Sequence, residues 1–213
     1  MPHIALLLVG FWFFIVFVLR TVVHWRRTGS TGLNGFRGRP GSISWIAGLM
    51  VSIGFVLALG APLATLLGWP GGTLLFESRV VHSTGAVLLT LGTFGTLASQ
   101  LSLGDSWRVG VDESEETDLV TSGLFAWVRN PIFSFMGLSH LGLVLLLPVA
   151  VALLGALVAT IGVVLQVRFV EEPYLLRTHG RAYADYASSV GRFVPRAGRM
   201  ASAGAGLGGS SRG

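Results

Sequence analysis

The sequence predicts an all-α integral membrane protein with about five transmembrane helices and a cytoplasmic amphipathic helix near its C-terminus. Three observations support this fold class. Hydrophobic residues make up 52% of the 213 residues and the mean hydropathy is +0.70, as is typical of membrane proteins. Several apolar runs approach the roughly 20 residues that cross a bilayer as a helix. Arginines cluster beside these runs, which is the usual mark of cytoplasmic segments.

The charged residues and the missing cysteines exclude several kinds of site. All 15 basic residues are Arg, and their position beside apolar runs indicates contact with anionic membrane lipids rather than with nucleic acid. Cysteine is absent, which excludes disulfides, thiolate metal sites and cysteine nucleophiles. No metal site is predicted.

Residues 1–103 are predicted to form three transmembrane helices and a basic cytoplasmic loop. The first span covers residues 4–23, with Arg20 reaching from its end toward the interface. We interpret this span as a retained anchor, because a signal peptide would carry its positive charge before the apolar run. Residues 21–42 contain four arginines and no acidic residue, so they are predicted to be cytoplasmic and the N-terminus to lie outside.

The second and third spans are predicted at residues 43–67 and 80–103, joined by an external turn at residues 69–72. The third span is rich in Gly, Ser and Thr, and such residues let membrane helices approach closely. It is therefore predicted to be an interior helix, and its small residues are also expected to leave room for a lipid-like chain. His82 and Gln100 lie near its ends, where interfacial solvation is the ordinary explanation, although Gln100 is the better candidate for facing a site.

Residues 104–195 contain a polar loop and two further helices. The loop at residues 104–129 carries six of the ten acidic residues. Two helices at residues 131–147 and 149–169 follow, joined so closely at Pro148 that an antiparallel hairpin is predicted. Asn130 is a good N-cap and Pro131 suits the first helical position. The free N–H groups and dipole of that helix terminus are suited to a carboxylate or phosphate, although Asn-Pro also begins helices that bind nothing.

The chain becomes amphipathic after the last span. Residues 171–195 place apolar and aromatic side chains at helical spacing, with a helix stop predicted at Gly180, which indicates a helix lying against the cytoplasmic face. Residues 196–213 are rich in Gly, Ser and Ala and are predicted to be a disordered tail.

Three segments of the second half resemble the isoprenylcysteine carboxyl methyltransferase family and, more distantly, phospholipid methyltransferases. They are GDSWRVGV, LVTSGLFAWVRNPIF and, after the hairpin, VRFVEEPYLLRTHGRAYADYASSVGRFVP. The resemblance covers residues 104–195, nearly half of the chain. It implies a multi-pass membrane enzyme that uses S-adenosyl-L-methionine at the cytoplasmic ends of its last helices. The implied methyl acceptor is a lipophilic or prenylated molecule with a carboxylate or thiol end.

The resemblance also assigns cofactor contacts to residues of two segments. Around the Thr-Ser-Gly turn they are Thr117, Asp118, Leu119, Val120 and Phe125. In the family's Arg-His-Pro-x-Tyr motif they are Asn130, Pro131, Ile132 and Phe133. Asn replaces the family's His at position 130, and Phe replaces Tyr at positions 125 and 133. No proton-transfer role is inherited from that His, although Asn still offers hydrogen bonds and Phe still offers an apolar wall.

The two adjacent glutamates after the hairpin are candidates for the cofactor's ammonium group. They point about 100° apart on a helix, so at most one is expected to face the pocket. The resemblance places the contact on Glu171. Arg168 is predicted to be the catalytic residue that holds an anionic acceptor. The alternative is that Arg168 and Glu172, four residues apart, form an ordinary interfacial ion pair.

Other residues and other function classes stay open at this point. His140 lies within a predicted span, where an ionisable residue is a functional candidate, although a neutral His bonded to a neighbouring helix explains it equally well. Trp107 and Arg108 match the family pattern and either close the pocket or anchor the chain at the interface. The alternative functions are a membrane reductase of the steroid-reductase type that uses NADPH, and a non-catalytic membrane protein that retains the fold.

Overall fold

The protein is built from helices, which a computed structural model describes for residues 1–31, 39–104 and 119–201. Helix α1 covers Pro2–Thr28 with a π-helical turn at Phe14–Leu19. The following helices are α2 (Ile43–Leu66), α3 (Arg79–Ser102), α4 (Pro131–Leu146), α5 (Ala150–Gln166) and α6 (Glu172–Ser189). A 3₁₀ turn at Gly123–Ala126 precedes α4, and a π-helical turn at Val167–Glu171 joins α5 to α6. The described residues contain no strand, only two isolated bridges, so the predicted all-α class is confirmed for them.

Four of these helices are long and apolar enough to cross a membrane: Pro2–Thr28, Ile43–Leu66, Arg79–Ser102 and Ala150–Ser189, where α5 and α6 run together. Large apolar side chains such as Leu7, Val56 and Val80 are exposed on their outer faces, as expected where lipid replaces water. Helix α4 is equally apolar but has only 16 residues, fewer than the roughly 20 that span a bilayer unassisted. The chain is a multi-pass membrane protein, and a fifth span at α4 stays a prediction.

The helix boundaries follow from local sequence. Ser42 and Ser78 are N-caps whose hydroxyls accept hydrogen bonds from the backbone N–H groups of Trp45 and Val81. Gly29 ends α1 in the left-handed conformation that favours glycine. Gly180 has φ 51° and ψ −124° inside α6, which confirms a break in helical geometry at the predicted stop.

Small residues set the two closest helix pairings, α3 with α4 and α2 with α5. A Cβ atom added to Gly92 would lie 2.6 Å from the backbone N of Ser139, and one added to Gly54 would lie 2.6 Å from the backbone N of Ala159. Such distances leave no space for a side chain, so the predicted close approach of α3 is confirmed. The expected room for a lipid chain beside α3 is wrong, because α4 fills that face.

The two helices of the predicted hairpin, α4 and α5, pack mainly on other helices and not on each other. Residues 147–149 join α4 to α5. The two helices make few contacts with each other, because α4 packs mainly on α3 and α5 packs mainly on α2. Helix α1 completes the bundle through Ala5 and Val9, which are buried in a core with Leu89, Leu143 and Leu146. This arrangement brings the first turn of α4 and the π-helical turn before α6 to the same end of the bundle.

Candidate functional site

A buried ion-pair network lies where α4 begins. Oε1 of Glu172 accepts hydrogen bonds from Nη2 of Arg129 at 2.7 Å and from Nε of Arg192 at 2.8 Å. Oε2 of Glu172 accepts a third bond from Nη2 of Arg192 at 2.9 Å. Arg192 therefore binds Glu172 through a bidentate pair, the strongest geometry for this combination. The hydrogen bond to Glu172 also raises the pKa of the Arg192 guanidinium.

Arg129 extends this network to the backbone that follows α6. Its Nη1 donates to the carbonyl oxygens of Ala187, at 2.9 Å, and Val190, and its Nη2 donates to that of Gly198 at 3.1 Å. Carbonyls at a helix C-terminus lack intrahelical partners and carry partial negative charge. A single buried guanidinium therefore fixes the start of α4, the start of α6 and the chain after α6 relative to one another.

Residues 191–193, called the clasp below, lie across the N-terminus of α4. Arg129 N donates to the carbonyl of Gly191 at 2.8 Å, and Asn130 N donates to that of Arg192 at 3.1 Å. The Asn130 side chain also donates to the Arg192 carbonyl, and Ser134 Oγ donates to the Phe193 carbonyl at 2.6 Å. Asn130 thus holds the predicted N-cap position and Pro131 the first helical position, but the Asn130 amide holds the clasp and does not cap the helix.

The two adjacent glutamates have different environments. Glu172 is 3% exposed and committed to the two arginines, whereas Glu171, at the end of the π-helical turn, is half-buried. Arg168 is exposed and Glu172 pairs with Arg129 and Arg192, so the alternative Arg168–Glu172 ion pair is wrong. The prediction assumed α-helical spacing, in which side chains four residues apart lie on one face. A π-helical turn at Val167–Glu171 separates Arg168 from Glu172 and changes that spacing.

The residues predicted to contact the cofactor around the Thr-Ser-Gly turn lie partly inside and partly outside the described structure. Phe125 is buried, and its carbonyl accepts a hydrogen bond from Tyr186 Oη at 2.6 Å, which attaches the 3₁₀ turn to α6. Leu119 and Val120 are half-buried. Four predicted residues, Thr117, Asp118, Trp107 and Arg108, lie outside the described residues.

An apolar cleft of about 250 Å³ opens between α4 and α5 beside the clasp. Phe133, a predicted site residue, lines it. Both Phe133 and Ile132 pack against the buried cluster of Trp12, Val16 and Met136. The other residues that line the cleft are Phe55, Ser134, Met136, Gly137, His140, Ala159, Thr160, Val163, Val164, Phe193 and Val194. Sequence reasoning assigned no role in the site to Ser134, Phe193 or Val194, although Phe193 and Val194 lie in the third segment that carries the resemblance.

His140 lines this cleft from the middle of α4. Its Nδ1 lies 2.9 Å from the carbonyl oxygen of Met136, one turn earlier in the same helix. The imidazole stacks on Phe55 with ring centroids 5.4 Å apart and meets the edge of Trp12 at 6.0 Å. The expected hydrogen bond to a neighbouring helix is therefore wrong, and the neighbouring helices contribute aromatic rings.

Three polar residues at the helix ends have protein partners rather than solvent. Arg20 is 2% exposed and donates to the carbonyl of Gly104 at 2.7 Å, so it does not reach toward the interface as predicted. Gln100 donates to the carbonyl of Val16 at 3.1 Å and faces α1. His82 accepts from Ser78 N and lies 3.3 Å from the carbonyl of Leu145. These contacts overturn the expected interfacial solvation of His82 and Gln100.

The part of the chain that contains Arg129, Glu172 and the start of α4 matches a known protein family. Residues 80–182 match the family model of the phospholipid methyltransferases, which belong to the same group of membrane methyltransferases as the isoprenylcysteine carboxyl methyltransferases. The resemblance predicted from the sequence is confirmed. No curated protein and no solved structure matches the chain. The matched segment runs from α3 into α6 and includes Arg129, Asn130 and both glutamates.

Proposed function

From the match of residues 80–182 to the phospholipid methyltransferase family, we propose an S-adenosylmethionine-dependent methyltransferase that acts on a lipophilic acceptor at the cytoplasmic membrane face. The family implies a membrane methyltransferase. The observation that carries the finer proposal is the buried 2.7 Å bond between Arg129 and Glu172. It joins the two segments, before α4 and after α5, to which the resemblance assigns the cofactor.

The residues at this junction fit the polar groups of S-adenosylmethionine. The first turn of α4, with Asn130, Pro131 and Ile132, is proposed to receive the carboxylate at its helix N-terminus. The Asn130 N–H and one N–H of its side chain already donate to the clasp, so the contact is proposed for the N–H groups that follow Pro131. Glu171, to which the resemblance assigns this contact, is the carboxylate proposed for the ammonium, whereas both oxygens of Glu172 accept hydrogen bonds from arginines. Phe125 and Phe133 are proposed as apolar walls for the adenine, and Leu119 and Val120 as further contacts, together with Thr117 and Asp118.

The proposed chemistry needs no general base when the acceptor is already an anion. A carboxylate or thiolate oxygen or sulfur attacks the methyl carbon of the sulfonium group as the carbon–sulfur bond breaks, leaving S-adenosylhomocysteine. The protein must hold the nucleophile in line and exclude water. Arg168, exposed on the π-helical turn, is proposed to hold the acceptor's anionic group. A phospholipid, the acceptor named by the family, carries a phosphate that Arg168 would bind by the same chemistry.

Cofactor binding distinguishes this proposal from the two alternatives. The full-length protein in detergent is titrated with S-adenosylhomocysteine and, separately, with NADPH in a calorimeter. The proposal expects saturable binding of S-adenosylhomocysteine and none of NADPH. Binding of NADPH alone would support a membrane reductase, and binding of neither would support a non-catalytic protein. Among acceptors, a prenylated thiol acid and an aminophospholipid are compared at equal concentration in methylation assays.

A further inference from the structure

We propose that the cleft between α4 and α5 binds an apolar ligand that carries one hydrogen-bond donor, a hydroxyl or an N–H group, and that Nε2 of His140 accepts that hydrogen. The site stands on its own geometry. Identifying its ligand with the methyl acceptor rests on the proposed function.

The hydrogen bond to Met136 fixes which ring nitrogen of His140 is available. A carbonyl oxygen only accepts, so Nδ1, at 2.9 Å from the Met136 carbonyl, carries the ring hydrogen. Packing between Phe55 and Trp12 disfavours a charged imidazole, because a buried charge needs a counterion. Nε2 is then the acceptor, and within the described part of the chain no donor reaches it.

An acceptor in this position favours a ligand that brings its own donor. His140 is only 8% exposed, yet it forms part of the cleft wall. A polar atom buried without a hydrogen bond is costly, and the apolar surroundings offer no compensation. A purely aliphatic ligand would bury Nε2 further without a partner, whereas a hydroxyl or N–H group would satisfy it.

The cleft has the size of a site for part of a chain-like molecule. Its 250 Å³ exceeds the roughly 150 Å³ of an engineered cavity that takes up benzene and approaches the range of about 300–1,000 Å³ of small-molecule sites. Ser134 lies beside the clasp at one end of the cleft, and His140 is six residues further along α4. At 1.5 Å per residue this is about 9 Å. A ligand that fills the cleft would therefore carry its hydroxyl or N–H group about 9 Å from the end that lies beside the clasp.

Photolabelling with a matched pair of probes tests the proposal. The probes are a diazirine-bearing decyl alcohol and its methyl ether, which share the apolar chain but differ in the donor. The full-length protein in detergent is labelled below saturation, and labelled peptides of α4 and α5 are quantified by mass spectrometry. We expect the alcohol to label about three- to tenfold more than the ether, the ratio that one neutral hydrogen bond provides.

Variants assign this preference to His140. His140→Phe keeps an aromatic ring against Phe55, and the ratio should fall to about one, whereas His140→Gln, which retains an acceptor, should keep a preference. Thr160→Val removes a hydroxyl acceptor that α5 contributes to the same cleft, because the Thr160 hydroxyl donates to the Ala156 carbonyl but can still accept. An unchanged ratio in this variant is expected if His140 is the acceptor, and a ratio near one would assign the preference to Thr160 instead. Gly137 has nothing within 4 Å of an added Cβ atom, so Gly137→Leu should fold, fill the cleft and reduce labelling by both probes.

Several results would overturn the proposal. Equal labelling by alcohol and ether in the unmodified protein would show a cleft that accepts any apolar chain, and a preference that persists in His140→Phe would exclude His140. Titration of the same preparations with S-adenosylhomocysteine separates the two proposals. Cofactor binding without the alcohol preference removes this inference and leaves the methyltransferase. The preference without cofactor binding supports the site and removes the methyltransferase.

Discussion

Arg129 and Glu172, 43 residues apart in the chain, are joined by a 2.7 Å hydrogen bond in which both side chains are almost completely buried. The bond connects the residue before the N-cap of α4 with the first residue of α6. Because Arg192 binds the same carboxylate, one acidic side chain organises the whole end of the bundle at which the cofactor is proposed to bind.

Glu172→Gln should strongly lower stability. The substitution leaves the buried Arg129 without its counterion, and loss of one partner from a buried pair costs about 3–5 kcal/mol in free energy of unfolding. Thermal unfolding in detergent measures the effect, with Asp185→Asn as the control, because Asp185 forms an exposed ion pair with Arg181 and such pairs contribute little. Unfolding temperatures that coincide for the two variants would show that the network contributes little.

Glu171→Gln should weaken cofactor binding. If Glu171 pairs with the ammonium of S-adenosylmethionine, losing that charged hydrogen bond costs about 1.5–3 kcal/mol of binding free energy. Calorimetric titration with S-adenosylhomocysteine, which carries the same ammonium, gives the affinity. An affinity equal to that of the unmodified protein would remove Glu171 from the proposed site.

Arg168→Gln should lower kcat/KM for the acceptor by about ten- to a hundredfold, the loss expected from one charged hydrogen bond. Arg168 is exposed, so the unfolding temperature and the affinity for S-adenosylhomocysteine should not change. Arg168→Lys should recover part of the rate, because it keeps the charge but not the bidentate geometry. Unaltered kinetics in the Gln variant would show that the acceptor's anion is held elsewhere.

Gly54→Ala should destabilise the bundle, whereas Gly60→Ala in the same helix should not. A Cβ atom on Gly54 would lie 2.6 Å from the Ala159 backbone, but nothing lies within 4 Å of one on Gly60. Overpacking of this kind costs about 1–3 kcal/mol. Unfolding in detergent compares the two variants, and a similar loss in both would argue against the close pairing of α2 with α5.

Reporter fusions should place the N-terminus outside and the C-terminus in the cytoplasm. The prediction follows from the arginines between α1 and α2 and their scarcity between α2 and α3. A reporter that is active only in the cytoplasm should be inactive when fused at Gly71 and active when fused after Met200. Activity at Gly71 would invert the topology and move the proposed site to the other face.

The positions of the helices were predictable because they depend on local sequence. The predicted spans at residues 43–67 and 80–103 differ by at most one residue at each end from Ile43–Leu66 and Arg79–Ser102. The polar serine caps and the length of each apolar run determine these limits without reference to the rest of the fold. The start of α4 at Asn130 and Pro131 was predictable for the same reason.

The partners of charged side chains were not predictable, because they come from distant parts of the chain. Spacing suggested Arg168 for Glu172, but the actual partners are 43 residues before it and 20 after it. In the same way, Arg20 binds a carbonyl 84 residues later instead of reaching toward the interface. Residue type identified which side chains need a partner, and only the packing of the helices decides which partner lies close enough.

The contacts of Arg129 also determine the order in which this end of the protein can be completed during synthesis. The ribosome releases Arg129 well before the Gly198 carbonyl that it binds, which lies 69 residues later. At about 5–20 residues per second, this is a delay of roughly 3–14 seconds. During that interval the guanidinium lacks most of its final partners, so it must stay hydrated at the membrane surface. The N-terminus of α4 therefore reaches its final form only after Gly198 has been synthesised.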